Sequence, residues 1–183
     1  MFGLLDYSEK VIGRRVHDLT LLTVDSEHCV INDDHVILWP IFGSKTDNSD
    51  YRQSGWKLLK NQRSKNLDPV FWINNCEKLL RDRRKTAKCT NLFLHLRGQA
   101  KAASRTVIAS WVKSALAEAG IIASPGSIRS AVASKNWADN VPVDEILSRG
   151  NWRSGNTFRQ FYRREVIPVT AHSSVTSAFV PCD

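Results

Sequence analysis

Residues 150–165 read GNWRSGNTFRQFYRRE. Phe158 and Phe161 stand three apart, a spacing that seats one face of a helix on a core. Tyr162 lies one step round from Phe161 and is followed by Arg163 and Arg164. Two roles are open to it. It can be a packing anchor for a surface helix, or a hydroxyl nucleophile set among arginines. The rest of the chain decides between them.

The chain has 183 residues, 42% of them hydrophobic, so one compact domain with a real core is expected. A net charge of +8 favours a polyanionic partner, most simply nucleic acid; the plainer reading is a basic surface without one. Cys29, Cys76, Cys89 and Cys182 form no Cys-x-x-Cys pair, which argues against a zinc ribbon and for small thiols of a reducing compartment. No apolar run reaches membrane-spanning length, and the N-terminus lacks the charged-then-apolar order of a signal peptide. An intracellular, soluble protein is the expectation.

Met1 to Leu22 reads as helical, with Leu4, Leu5, Val11, Ile12, Val16 and Leu19 at near-helical spacing. The abrupt start reads as a domain entered partway, N-terminally truncated. Residues 28–31 (HCVI) and 35–42 (HVILWPIF) flank the turn NDD, and GWKLLK at 55–60 returns as a third strand. The sheet is small and antiparallel, with Lys45 of GSKTD at one tip. Asp68 and Pro69 open a helix carrying Trp72, Ile73, Cys76, Leu79 and Leu80 as an apolar stripe, with Arg81, Arg83, Arg84 and Lys85 as a solvated basic end. NLFLHL at 91–96 is a short extended segment. Ser104 caps a helix whose face is Val107, Ile108, Trp111, Val112, Ala115 and Leu116, and Gly120 stops it. Ser124 and Pro125 open another helix, and 141–150 and 154–165 give two more. The fold class is mainly α with a small antiparallel β-sheet, as one domain over 1–165 with a tail over 166–183.

Phosphodiester cleavage by a protein hydroxyl needs a nucleophile, cations for the charge on the non-bridging oxygens, and an acid for the leaving oxygen. The chain offers such a set in order. RRVHDLTLL holds Arg15, Asp18 and Leu19; GSKTD holds Lys45; GSIRSAVAS holds Arg129; the opening stretch holds Trp152 and Tyr162. This order resembles the boxes of the tyrosine recombinases, over roughly Gly13 to Arg164. The last box, with Trp, polar residues, Thr-Phe and then Phe-Tyr, is most similar to the recombinases of tyrosine-recombinase retrotransposons.

The resemblance implies the tyrosine recombinase catalytic-domain fold and a role for each residue. Tyr162 attacks the scissile phosphate and carries the DNA 3′ end. Arg15 and Arg129 clamp non-bridging oxygens, Lys45 protonates the 5′ oxygen, Trp152 donates its indole N–H to a phosphate oxygen, and Asp18 orients Arg15 and nearby backbone. No metal and no cofactor are implied. The implied partner is double-stranded DNA, with self-association as a tetramer on it, and the implied place is the nucleus in a eukaryotic source. Two departures stand out. Gly126 occupies the position of the family's histidine in the second box, and Tyr162 comes one residue later after Trp152 than usual. Three functions stay open: a DNA strand transferase, a catalytically weak DNA-binding remnant of a mobile element, and an unrelated basic helical protein such as an RNA binder.

Overall fold

The computed structural model describes residues 14–50 and 55–161. Tyr162, the side chain of Phe161, the assigned tail over 166–183 and most of the helix expected over Met1–Leu22 lie outside them. Within the described part of that helix only Val16–Leu19 is helical (α1). The Thr20 hydroxyl donates to the His17 carbonyl at 2.6 Å, and the chain turns away there instead of continuing to Leu22.

Three short strands follow: β1 (Cys29–Ile31), β2 (His35–Leu38) and β3 (Trp56–Leu59). They form an antiparallel sheet in chain order, with Val36 opposite Leu58 and Leu38 opposite Trp56. These four side chains are buried and their neighbours are not, which is the period-2 pattern of a sheet with one covered face. The cover is α2 (Pro69–Leu79), which places Val70 and Ile73 against that face. Asp68 caps α2 by accepting from the Val70 and Phe71 amides, as its sequence signal predicts.

The stretch expected as one helix breaks at Leu80 into α2 and α3 (Arg81–Ala87). Leu80 turns inward and Leu79 is left 79% exposed, so Leu79 is not part of the apolar stripe. The basic end is a solvated face only in part: Arg81 and Lys85 are exposed. Arg84 is buried, and its guanidinium donates to the carbonyls of Asn91, Glu77, Cys76 and Leu92. It ties off the Glu77 carbonyl near the end of α2 and adds a second donor to that of Cys76, which the Leu80 amide also reaches. Arg83 bonds the carbonyls of His95 and Gly98. Burial pushes the thiol of Cys29 up to about 11 and that of Cys76 up as well, in keeping with core thiols.

The extended segment 91–96 makes only isolated bridges, Thr23 to Asn91 and Leu94 to Ala102. It leads to α4 (Arg105–Glu118), capped by Ser104 and stopped by Gly120 at φ +75°. The buried pair Ile108 and Val112 packs with Val16 and Leu19 of α1. Then come α5 (Ser127–Ala138), α6 (Val143–Gly150) and α7 (Gly155–Phe161). Their shared core is Ala133, Ile146, Trp152 and Phe158. Ile128 of α5 joins the α4 core while Ala133 of α5 joins this one, so α5 links the two. No helix among the described residues is long and apolar enough to cross a membrane.

Candidate functional site

The site starts at the turn between α1 and the residue before it. The Arg15 amide donates to Asp18 Oδ2 at 3.1 Å, and the Asp18 amide returns to the Arg15 carbonyl at 2.9 Å. Asp18 is fully buried. It thus holds Arg15 through the main chain. The other carboxylate oxygen, Oδ1, accepts from the Ser44 hydroxyl at 2.9 Å.

Ser44 belongs to the turn that carries Lys45, in the long connection from β2 to β3. Asp47 shapes this turn by accepting from the amides of Gly43 and Ser44. His17 Nε2 donates to the Gly43 carbonyl at 3.2 Å, so α1 grips the turn a second time. Lys45 itself is exposed, while Ser44 and Thr46 on either side are buried. The lysine projects from a turn whose two flanks are locked inward.

Thr46 makes the third link. Its hydroxyl lies 3.3 Å from Ser44 Oγ and accepts from Asn151 Nδ2 at 2.6 Å. The single Ser44 proton is committed to Asp18, so the Thr46 hydroxyl donates to Ser44. The proton order therefore runs one way, from the Asn151 amide through two hydroxyls to the Asp18 carboxylate. All four side chains are at least nine-tenths buried. A chain of donors pointing toward one acidic end is mutually polarising and stronger in a low-dielectric interior than in water.

Asn151 is the C-cap of α6 and takes the left-handed conformation, φ 54°, ψ 48°, which asparagine tolerates better than most residues. It turns the chain directly into Trp152. The Trp152 ring packs edge-on to Phe158 at 6.0 Å. The guanidinium of Arg129, from the first turn of α5, lies over the Trp152 ring at 3.7 Å from its centroid, a close cation–π contact. Trp152 comes so near the α6 terminus that a Cβ on Gly150 would stand 1.6 Å from its Cζ3. Only glycine fits there.

One buried run of contacts therefore connects the neighbourhoods of Arg15, Lys45, Trp152 and Arg129, which span residues 15 to 152 of the sequence. Arg15 Nη1 is buried and donates to nothing among the described residues. At Gly126 a Cβ would meet only Ser124 Oγ, at 3.8 Å, so the position where a histidine is expected has room for a side chain. Tyr162, one residue beyond the described end of α7, lies outside the described residues.

Sequence reading did not find Ser44, Thr46 or Asn151. Ser and Thr beside a turn lysine look like ordinary turn composition, and nothing in GNW marks the asparagine as buried. A separate acidic group, Asp25, Glu27 and His28 before β1, brings its ligand atoms within 4.8 Å of one another. His28 Nδ1 is already engaged by Asp25 at 2.8 Å.

No family model matches the sequence, and no curated protein sequence matches it. Solved structures do match its shape. XerA recombinase aligns with a TM-score of 0.56 at 14% identity, over 87% of this chain and 52% of that one. XerH site-specific recombinase bound to difH substrate, a pre-cleavage complex, gives 0.60 at 14% identity over 89% and 43%. Its post-cleavage complex with palindromic difH substrate gives 0.57 at 14% identity over 87% and 42%. The chain has the tyrosine recombinase catalytic-domain fold. It spans about half the length of these recombinases or less. The fold implied by four short sequence stretches is thus matched by the backbone. The finer likeness, to retrotransposon recombinases, is not.

Proposed function

We propose that this chain cuts and rejoins double-stranded DNA through a 3′-phosphotyrosine at Tyr162. The phenolic oxygen bonds to the scissile phosphorus while the bond from phosphorus to the 5′ oxygen breaks. The phenolic proton passes to solvent, and the 5′ oxygen leaves with a proton from the Lys45 ammonium. Arg15 and Arg129 hold the non-bridging oxygens, where charge builds as the new bond forms. Trp152 seats the Arg129 guanidinium in addition to offering its N–H. Attack by a 5′ hydroxyl reverses the step and rejoins the strand, because the phosphotyrosine link retains the energy of the broken bond.

The observation that carries this reading is the buried run from Arg15 through Asp18, Ser44, Thr46 and Asn151 to Trp152 and Arg129. Neither packing alone nor a generic basic surface calls for residues so distant in sequence to be joined by buried polar contacts. Arg15 Nη1, without an acceptor among the described residues, adds a donor that suits an anion. The DNA-bound XerH structures support DNA as the partner by analogy of fold, and a tetramer on DNA is the assembly this reading implies. The wording of the last box sets the reaction in a mobile element and its integration, in the nucleus where the source is eukaryotic.

A second reading is favoured by Gly126 in place of the expected histidine: a DNA-binding remnant with weak cleavage. Incubation with a nicked suicide DNA duplex separates the two. The strand-transferase reading expects a covalent adduct on a denaturing gel that disappears in Tyr162→Phe. Salt-sensitive DNA binding without an adduct favours the remnant. An adduct that survives Tyr162→Phe sinks the first reading.

A further inference from the structure

We infer that Asn151 is a positioning residue for Lys45, clamping the lysine turn to the α6–α7 corner so that acid and arginine clamp are presented as one unit. The inference rests on the strand-transfer reading above for the role of Lys45, and on geometry for the rest. Lys45 is exposed on a flexible stem, so its own contacts do not fix it. What fixes it is the turn beneath. That turn is held on one side by Asp18 and His17 of α1 and on the other by Asn151, through the 2.6 Å bond to Thr46 and a longer one, 3.5 Å, to Ser44.

Asn151 suits this use for two reasons. Its left-handed backbone reverses the chain at the α6 terminus and places Trp152 against Gly150. Its side-chain amide meanwhile heads the run of donors that ends on Asp18. One residue thus sets both the Arg129 seat, through Trp152, and the height of Lys45, through Thr46. A shift of about an ångström in such an arrangement can cost on the order of a hundredfold in rate.

Asn151→Gly is the informative variant, because glycine takes the left-handed backbone freely and only the amide is lost. The assay is single-turnover cleavage of two suicide duplexes, one normal and one with sulfur in place of the bridging 5′ oxygen. A thiolate leaves without needing a proton, so the sulfur substrate does not need the acid. On the normal substrate the variant is expected to slow about tenfold to a hundredfold. On the sulfur substrate it is expected to stay within about threefold of the wild type. Thr46→Val should repeat the pattern, and the double variant should be no slower than the worse single one. Equal loss on both substrates, or no loss on the normal one, overturns the inference while leaving strand transfer standing.

Amide hydrogen exchange gives a readout that needs no activity. The Ser44 and Asp47 amides should exchange about tenfold faster in Asn151→Gly, with β2 and β3 unchanged. Unchanged exchange in the turn overturns the clamp. A wild-type protein that forms no adduct overturns the strand-transfer reading and with it the acid role, whereas the exchange result still decides whether Asn151 holds the turn.

Discussion

Arg84 and Arg15 both carry buried guanidinium nitrogens, and they differ in what those nitrogens meet. Arg84 donates to four main-chain carbonyls and closes the break between α2 and α3. Arg15 has a buried Nη1 with no acceptor among the described residues. Burying a guanidinium without partners is costly. The first arginine has that cost offset within the fold. Among the described residues the Nη1 of the second has no such offset, and a phosphate oxygen is the acceptor its chemistry suits. The contrast teaches how to tell a staple from a ligand clamp: by whether the donors are already spent.

Breaking the staple should have the largest effect on the molecule. Arg84→Met keeps an apolar stem but takes from the Glu77 and Asn91 carbonyls the donor they have here, at ~1–3 kcal/mol each. The expected loss is about 3–5 kcal/mol in urea unfolding, against an ordinary total of about 5–15 kcal/mol. Arg15→Met should behave oppositely. Its unfolding midpoint should hold or rise, while adduct formation falls by about 10²–10³, the usual cost of losing one donor to a developing oxyanion. If Arg15→Met unfolds as readily as Arg84→Met, the two arginines are both staples and the contrast collapses.

The same distinction explains what could be seen in the sequence. Alternating apolar residues at Val36, Leu38, Trp56 and Leu58 announced the sheet, and Asp68, Ser104 and Gly120 announced helix ends, because each signal is local. Arg15, Lys45, Arg129 and Trp152 stood out because their order resembles a known set of boxes. Arg84 was misread as solvated because a run of Arg and Lys looks alike whether it faces water or carbonyls. Which arginine turns inward depends on where α2 stops, and that is set by Leu80 finding the core. The network of Ser44, Thr46 and Asn151 was invisible for a related reason. Its members are common turn residues whose burial arises only when α1, the lysine turn and the α6 terminus meet.

Two glycines sharpen the comparison between fold and site on a smaller scale. Gly150 has no space, since a Cβ would overlap the Trp152 ring. Gly150→Ala should therefore displace the ring, with a cost of about 1–3 kcal/mol from overpacking and a loss of the Arg129 seat. Loss of tryptophan fluorescence protection together with a fall in cleavage would mark that displacement. A fully active and equally stable Gly150→Ala would mean that Trp152 seats nothing.

Gly126 is the opposite case and carries the smallest predicted effect. Its backbone is helical, φ −73°, ψ −20°, and only Ser124 Oγ lies near a Cβ built there. A side chain should be accepted, so Gly126→His is expected to change stability by no more than about 0.5 kcal/mol, as for an ordinary surface substitution. Its effect on cleavage depends on which function the chain has. If Tyr162, Lys45 and the arginines already perform strand transfer, a histidine at the N-cap of α5 adds a group that can move protons at the same phosphate. Adduct formation should then rise by about tenfold, the low side of what one acid or base contributes because the reaction already proceeds without it. If the chain is a remnant, one imidazole restores nothing and no adduct appears. A rise in rate with unchanged stability would therefore show that the glycine reduces activity in a site otherwise assembled, while a stable but inactive Gly126→His would place the defect elsewhere in the site.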